Sequence, residues 1–233
     1  MSDEEIHAPG WSAIDMAVGR IYPGQTPHQF ASKTPYELDS RSPLPAITVW
    51  ESKLPASWHY VTYGLTELFE KTSNVPDVSG FGFELVMRVP KAEGEEIPPI
   101  WPLRLLQTLG HYVLAQRQGF DSGHLIGLES PLTTAEGAPG DPPAPETQLD
   151  SILAIPDPLL GKINTRHGAV LFLQLVGLHA DERKAFESMD LEQKVGAMAD
   201  LDPAGLTDPA RGSWLEHDEK VKVFRRYQFK IGM

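Results

Sequence analysis

The stretch Gly80-Phe81-Gly82-Phe83-Glu84-Leu85-Val86-Met87-Arg88-Val89 decides the fold class. Phe81, Phe83, Leu85, Met87 and Val89 alternate with Gly82, Glu84, Val86 and Arg88. Successive side chains of a β-strand point to opposite faces, so this period marks a strand with one strongly buried face and places Glu84 and Arg88 together on the other. Gly80 and Gly82 inside the run point to a place where neighbouring backbone comes close. Working outward, Trp58 to Tyr63 is rich in aromatic and β-branched residues, and Pro45 to Glu51 has the same bias, so both read as strands. Ala169 to Leu178 is almost continuously apolar, with Gln174 its only polar side chain, and reads as a strand buried on both faces.

Helical spacing appears in three places. Pro102 opens a helix with Leu105, Leu106, Leu109, Tyr112 and Val113 on one stripe, closed near Gly119. Trp11, Ile14, Val18 and Ile21 form a shorter stripe that Pro23-Gly24 ends, and Asp181 to Asp200 is helical with Asp190 as the cap of its second half. Residues 133–148 have no apolar period and many prolines, which reads as a flexible loop, and residues 215–233 read as a C-terminal tail. Strands and helices follow one another without strict alternation. The expectation is an α+β fold, a mixed β-sheet flanked by helices, in a single domain spanning 1–233.

Charge and composition narrow the function. Asp and Glu number 32 against 20 Lys and Arg, a formal net charge of -12, so nucleic acid is repelled; an acidic surface of this kind ordinarily keeps a protein soluble, and the alternative is that it meets a basic protein partner. The chain has no cysteine, which excludes disulfides and thiolate metal sites and fits a reducing compartment. MSDEEIHAPG at the N-terminus is acidic where a secretory signal is basic, and no stretch approaches the roughly 18 apolar residues of a membrane helix; a cytoplasmic protein is expected.

Motifs for catalysis are missing. Gly80-Phe81-Gly82 lacks the third glycine of a dinucleotide loop, which would fall at Leu85, and Gly161-Lys162 has Pro156 and Ile163 where a phosphate loop needs glycine and a hydroxyl. No two of the eight histidines have metal-ligand spacing, so neither a metal nor another cofactor is expected. An enzymatic alternative, a hydrolase, would use His59 or His124 with Glu84 or Asp121, on residue type alone. A dimer with a purely structural role is a third reading.

Six ordered blocks carry a resemblance. WHYVTYGLTEL (Trp58 to Leu68), SGFGFEL (Ser79 to Leu85), PPIWP (Pro98 to Pro102), LQTLGHYV, SPL (Ser130 to Leu132) and VLFLQLVGL are similar to stretches of the suppressor of fused domain, in that family's order, between about Trp11 and Trp214. Trp58, His59, Tyr60, Gly64, Gly80, Phe81, Gly82, Phe83, Glu84, Trp101 and Gln174 are the motif positions expected to build the fold. The resemblance implies an α+β protein-binding domain with no established catalytic centre or cofactor. Animal members restrain zinc-finger transcription factors by gripping an extended peptide; single-domain bacterial relatives are linked to immunity against polymorphic toxins. Because the chain ends where the second animal domain would begin, it resembles the bacterial type. Carried over residue by residue, the animal peptide site places a tyrosine at Tyr112 and an aspartate where this sequence has His124, so Tyr112, Phe120, Asp121 and His124 are the candidate partner contacts. By helical spacing alone, Tyr112 falls on the core stripe with Leu105 and Leu109.

Overall fold

The computed structural model describes residues 8–33, 43–134 and 142–228. Its elements are α1 (Pro9–Ile21), β1 (His28–Ala31), β2 (Ala46–Lys53), β3 (Ala56–Tyr63), β4 (Val78–Pro90), α2 (Trp101–Gln116), β5 (Leu125–Gly127), β6 (Ser151–Pro156), β7 (Lys162–Thr165), β8 (Gly168–Leu178), α3 (Ala180–Glu187), α4 (Leu191–Leu201) and α5 (Asp218–Gln228). The strands form one mixed sheet in the order β1-β2-β3-β4-β8-β6-β5, with β7 paired to β8 off that path. The β4–β8 pair is parallel and the other pairs are antiparallel. The architecture is α+β.

Each face of the sheet carries helices. Trp58, Tyr60, Leu85, Met87, Leu173 and Leu175 pack beneath α2 through Leu105, Leu106, Leu109 and Val113. On the opposite face, Val61, Tyr63, Val86 and Phe172 meet Ile14 and Val18 of α1. Further along that face, Leu153, Ile155, Val176 and Leu178 pack with Phe186, Met198 and Phe224 from α3, α4 and α5. The long central strands are therefore covered on both sides. This corrects the reading of β4 as a strand with a single buried face: Glu84 is fully buried and Arg88 is 3% exposed. The alternation in the sequence separates an apolar buried face from one that buries charge.

Four strands were legible and four were not. The segments read as strands became β2, β3, β4 and β8, whereas β1, β5 and β7 have only three or four residues, too few to show a period. The fourth, β6, is buried through Ser151–Ile155 and follows the Pro-rich stretch, where composition masks it. Of the expected tail, residues 229–233 lie outside the described residues, and the described part is helical. Residues 214–216 form a 3-10 turn and α5 follows, with Val223 and Phe224 buried and the Phe224 ring 5.1 Å from that of Phe186. Asp218 and Glu219 begin α5 and Arg225 and Arg226 end it, which suits the helix dipole. Of the expected flexible loop, residues 135–141 lie outside the described residues; at its flanks Thr133 Oγ1 donates to Pro145 O at 2.7 Å.

The glycines of the founding motif shape β4. Gly80 and Gly82 have φ of +54° and +86°, a region that costs other residues about 1–2 kcal/mol. The β4–β8 register shifts between Val78 and Phe83, and a Cβ on Gly80 would lie 2.7 Å from Leu65 O. A Cβ on Gly82 would meet only the Val78 side chain, at 2.8 Å. Gly82→Val is expected to lower stability by about 1–3 kcal/mol, and Gly80→Val by more because backbone cannot yield as a side chain can. Urea unfolding checks this, and unchanged midpoints would show that the bend tolerates side chains.

Candidate functional site

Three of the four expected contact residues converge at the end of α2. Arg117, the C-cap, takes a left-handed conformation at φ +51°, which turns the chain back on itself. Phe120 then stacks on Tyr112 with ring centroids 5.8 Å apart and planes 10° from parallel, and its other neighbour is Phe83 at 6.3 Å. Tyr112 is 46% exposed, so its placement on the core stripe is corrected. Leu105, Leu109 and Val113 take the inward direction, and the Tyr112 ring flanks them and is covered on one side by Phe120.

Residues 121–124 form a turn that leads into β5. The Gly123 N–H donates to Ala154 O at 2.7 Å, the Asp121 N–H to His124 Nδ1 at 3.1 Å, and Lys194 of α4 donates from Nζ to Gly123 O at 2.7 Å. Between this turn, α2 and β5 lies a cleft of about 550 Å³, whose walls include Leu109, Tyr112, Phe120, His124, Ile126 and Leu128. Asp121 does not line it; its carboxylate accepts from the Ser122 N–H at 2.7 Å.

One edge of β5 is open among the described residues. His124 O accepts from Ala154 N and Leu128 N donates to Asp150 O, so the even-numbered residues of this strand direct their peptide groups toward β6. Leu125 and Gly127 direct theirs the other way, where no strand pairs among the described residues. An apolar cleft thus runs beside an unpaired strand edge, the arrangement that takes an extended peptide as an added strand.

A second cleft, of about 690 Å³, lies over the loop after β3, with Leu65, Glu67, Phe69, Phe81 and Arg117 among its walls. Glu67 is already saturated. It accepts from the backbone N–H groups of Thr72 (2.6 Å), Ser73 (2.6 Å) and Gly80 (3.1 Å) and from Lys71 Nζ (2.9 Å). Burial works to raise its pKa, and these donors, Ser73 and Lys71 foremost, outweigh that and hold it at about 2. Its chemistry is that of a clasp for the loop.

The groups weighed for hydrolysis are not assembled. His59 is fully buried, with Tyr22 Oη 2.9 Å from Nδ1 and Asp157 Oδ2 3.7 Å from Nε2. Burial first, and then the Arg88 charge, push its pKa down to about 3, too weak a base for proton transfer near neutrality. Glu84 sits four residues along β4 from Arg88, the partner of His59, a separation of roughly 13 Å at ~3.3 Å per residue. His124 meets Asp121 only through the backbone. Among the described residues no group of three His, Asp or Glu is placed to hold a metal.

The remaining motif residues make contacts within the fold. Trp58 Nε1 donates to Glu95 Oε2 at 2.7 Å beneath the Lys91 ammonium, Tyr60 Oη donates to Pro99 O at 2.7 Å, and Trp101 begins α2 in the core. Gly64 N–H donates to Glu84, and Phe81 N–H to Leu65 O. Gln174 Nε2 donates to Gly205 O at 2.6 Å and its Oε1 accepts from Arg88. Sequence reasoning missed Tyr22, Asp157 and Ile126 entirely; of the neighbouring signals, only Arg88 within an apolar strand was there to be found.

Comparison with known proteins gives consistent results. A family model described as suppressor of fused protein matches residues 41–212. The human and mouse suppressor of fused homologs are each 30% identical over 219 residues, covering 87% of this chain and 43% of theirs. The chain thus spans less than half the length of the curated relatives it matches. Among solved structures, Drosophila suppressor of fused superposes with a TM-score of 0.79 at 26% identity, covering 97% of this chain and 57% of that one. A chain from the crystal structure of the Sufu–Fu complex gives 0.77 at 26% identity, covering 94% and 98%. A putative homolog from Neisseria gonorrhoeae shares the fold at a TM-score of 0.55 and 15% identity, covering 88% and 96%. No described helix is long and apolar enough to cross a membrane.

Proposed function

The chain belongs to the suppressor of fused family, and from that premise we propose that it is a protein-binding regulatory module that takes an extended segment of its partner at the α2–β5 groove. The observation that carries this is the half-exposed Tyr112–Phe120 stack beside the edge of β5 on which no strand pairs among the described residues. Main-chain hydrogen bonds along such an edge supply affinity, and side chains entering the cleft supply selectivity. A relative is known in complex with Fu, which supports a protein as the ligand class. The work needs no catalysis.

Sequestration is the finer reading: a cytoplasmic immunity or regulatory protein that occupies a toxin or regulator and so blocks it. The net charge of -12 favours a partner with a basic surface, through faster encounter rather than tighter final contact. A partner captured from lysate, or the product of a neighbouring toxin gene, is the reagent for the test. Tyr112→Ala is expected to weaken its binding at least about tenfold, as for an aromatic anchor at an interface. Melting should hardly move, since a half-exposed ring contributes little to the core. Asp121→Lys combined with His124→Glu should also weaken binding with folding intact. Full affinity in both variants would move the partner site away from this groove, and salt-insensitive association would remove the basic partner.

A further inference from the structure

The edge strand of the groove carries a glycine where an arginine intrudes. Leu125 packs toward the α3–α5 cluster and Ile126 toward the α2 cluster, so by alternation residue 127 faces the α3 side. A Cβ at Gly127 would lie 2.7 Å from Arg183 Nη1, 3.4 Å from its Cζ and 3.8 Å from Nη2. The guanidinium of Arg183, from α3, therefore occupies the space that any other residue at 127 would fill. It lies against the strand whose outer edge is open.

Arg183 is weakly held there. Its Nε is 3.5 Å from Glu187 Oε1, beyond a good hydrogen bond, in an exposed pair one helical turn apart. Neither terminal nitrogen has a hydrogen-bond partner among the described residues, and the side chain is 42% exposed. A planar fork of donors in this state is complementary to a carboxylate, which it can grip through two parallel bonds.

Residues directly opposite one another on paired strands project to the same face, with Cβ atoms about 4.5–5.5 Å apart. A segment added to the β5 edge would place the side chain opposite Gly127 on the α3 face, beside the Arg183 guanidinium. Its neighbours in sequence would turn to the α2 face, toward Ile126, Tyr112 and Phe120. We propose that the groove selects an extended segment carrying an aspartate or glutamate opposite Gly127, flanked by apolar residues that enter the cleft. This rests on the groove being the partner site and adds the chemistry of the partner. It is compatible with a partner that is basic overall: the long-range field of the chain is negative, whereas the contact at this one position is with a cation. Arg183 then acts on specificity, since a lysine there meets like charge and a neutral residue leaves the fork unpaired.

The test uses synthetic peptides with alternating phenylalanine and serine, through which a single Glu, Gln or Lys is walked position by position, titrated against the intact chain. At one position Glu is expected to bind about tenfold more tightly than Gln, with Lys weakest, as for a charge-assisted bond that forms on docking. In Arg183→Glu the order should reverse in favour of Lys. Gly127→Ala displaces only the flexible end of Arg183, so it should erase the preference and leave melting unchanged. Tyr112→Ala should weaken every peptide. Binding that depends on Tyr112 but shows no preference for Glu, or a preference that survives Arg183→Glu, overturns the acidic selection and leaves the groove standing. No binding by any peptide, or binding indifferent to Tyr112→Ala, overturns the groove and this inference with it.

Discussion

Replacement of Arg88 by methionine is expected to destabilise the fold by about 3–5 kcal/mol, the range found when one partner of a buried ion pair is removed. Arg88 Nη1 contacts Asp157 Oδ2 at 2.5 Å and also donates to Gln174 Oε1, in a setting where Arg88 is 3% and Asp157 2% exposed. Burial by itself would raise the Asp157 pKa; Arg88 and then His59 reverse this and bring it below the ordinary value. Without Arg88 the carboxylate is left charged in the interior or has to take up a proton. Asp157 cannot easily leave, because its Oδ1 accepts from the Leu159 and Leu160 N–H groups at 2.9 and 2.7 Å. The double variant Arg88→Met with Asp157→Leu should recover part of the loss, since no charge is then stranded, but not all of it, since those two amides lose their acceptor. Urea unfolding of the three variants measures the coupling. A loss below about 1 kcal/mol for Arg88→Met would mean that water reaches this network and solvates the remaining charge.

A loss of similar size, about 3–5 kcal/mol, is expected for Glu84→Leu, for a different reason. Glu84 is fully buried and draws together four donors: Thr62 Oγ1 at 2.7 Å, Gly64 N–H at 2.9 Å, Thr66 N–H at 2.9 Å and Thr66 Oγ1 at 2.6 Å. Burial raises its pKa, and the hydrogen bonds from Thr66 and Thr62 oppose that rise. Leucine fills the volume but leaves two backbone amides without an acceptor, each costing about 1–3 kcal/mol when buried. Glu84→Gln should fall between, because its carbonyl serves some donors while its NH2 group faces others. Thermal melting orders the three proteins. If Glu84→Leu melts with the wild type, the turn after β3 can reorganise and Glu84 is not its organising group.

Much of the candidate site was legible and its key property was not. Tyr112, Phe120 and His124 were expected near one another, and they do line one cleft. The exposure of Tyr112 was misread because spacing along a helix gives a direction to within about one residue, and a residue at the margin of a stripe goes to whichever side its neighbours leave open. Phe120 decides that, from beyond the end of the helix. The open edge of β5 was illegible for another reason: a strand of three residues has no period, and being an edge is a fact about which strands are absent beside it. Arg183 carries no signal of its own in the sequence, since only the fold brings it against Gly127.

By itself the sequence determined the α+β class, the strands β2, β3, β4 and β8, the helices α1 to α4 and the family, because alternation, helical spacing, caps and ordered motif blocks are all local signals that each segment carries alone. Only the tertiary structure decided that both faces of β4 are covered, that Arg88 pairs with Asp157 across 69 positions, and that residues 218–228 fold as a helix onto α4. Those outcomes depend on which distant segment arrives opposite a given face, and burial of a charge is stable only when that segment brings the matching group.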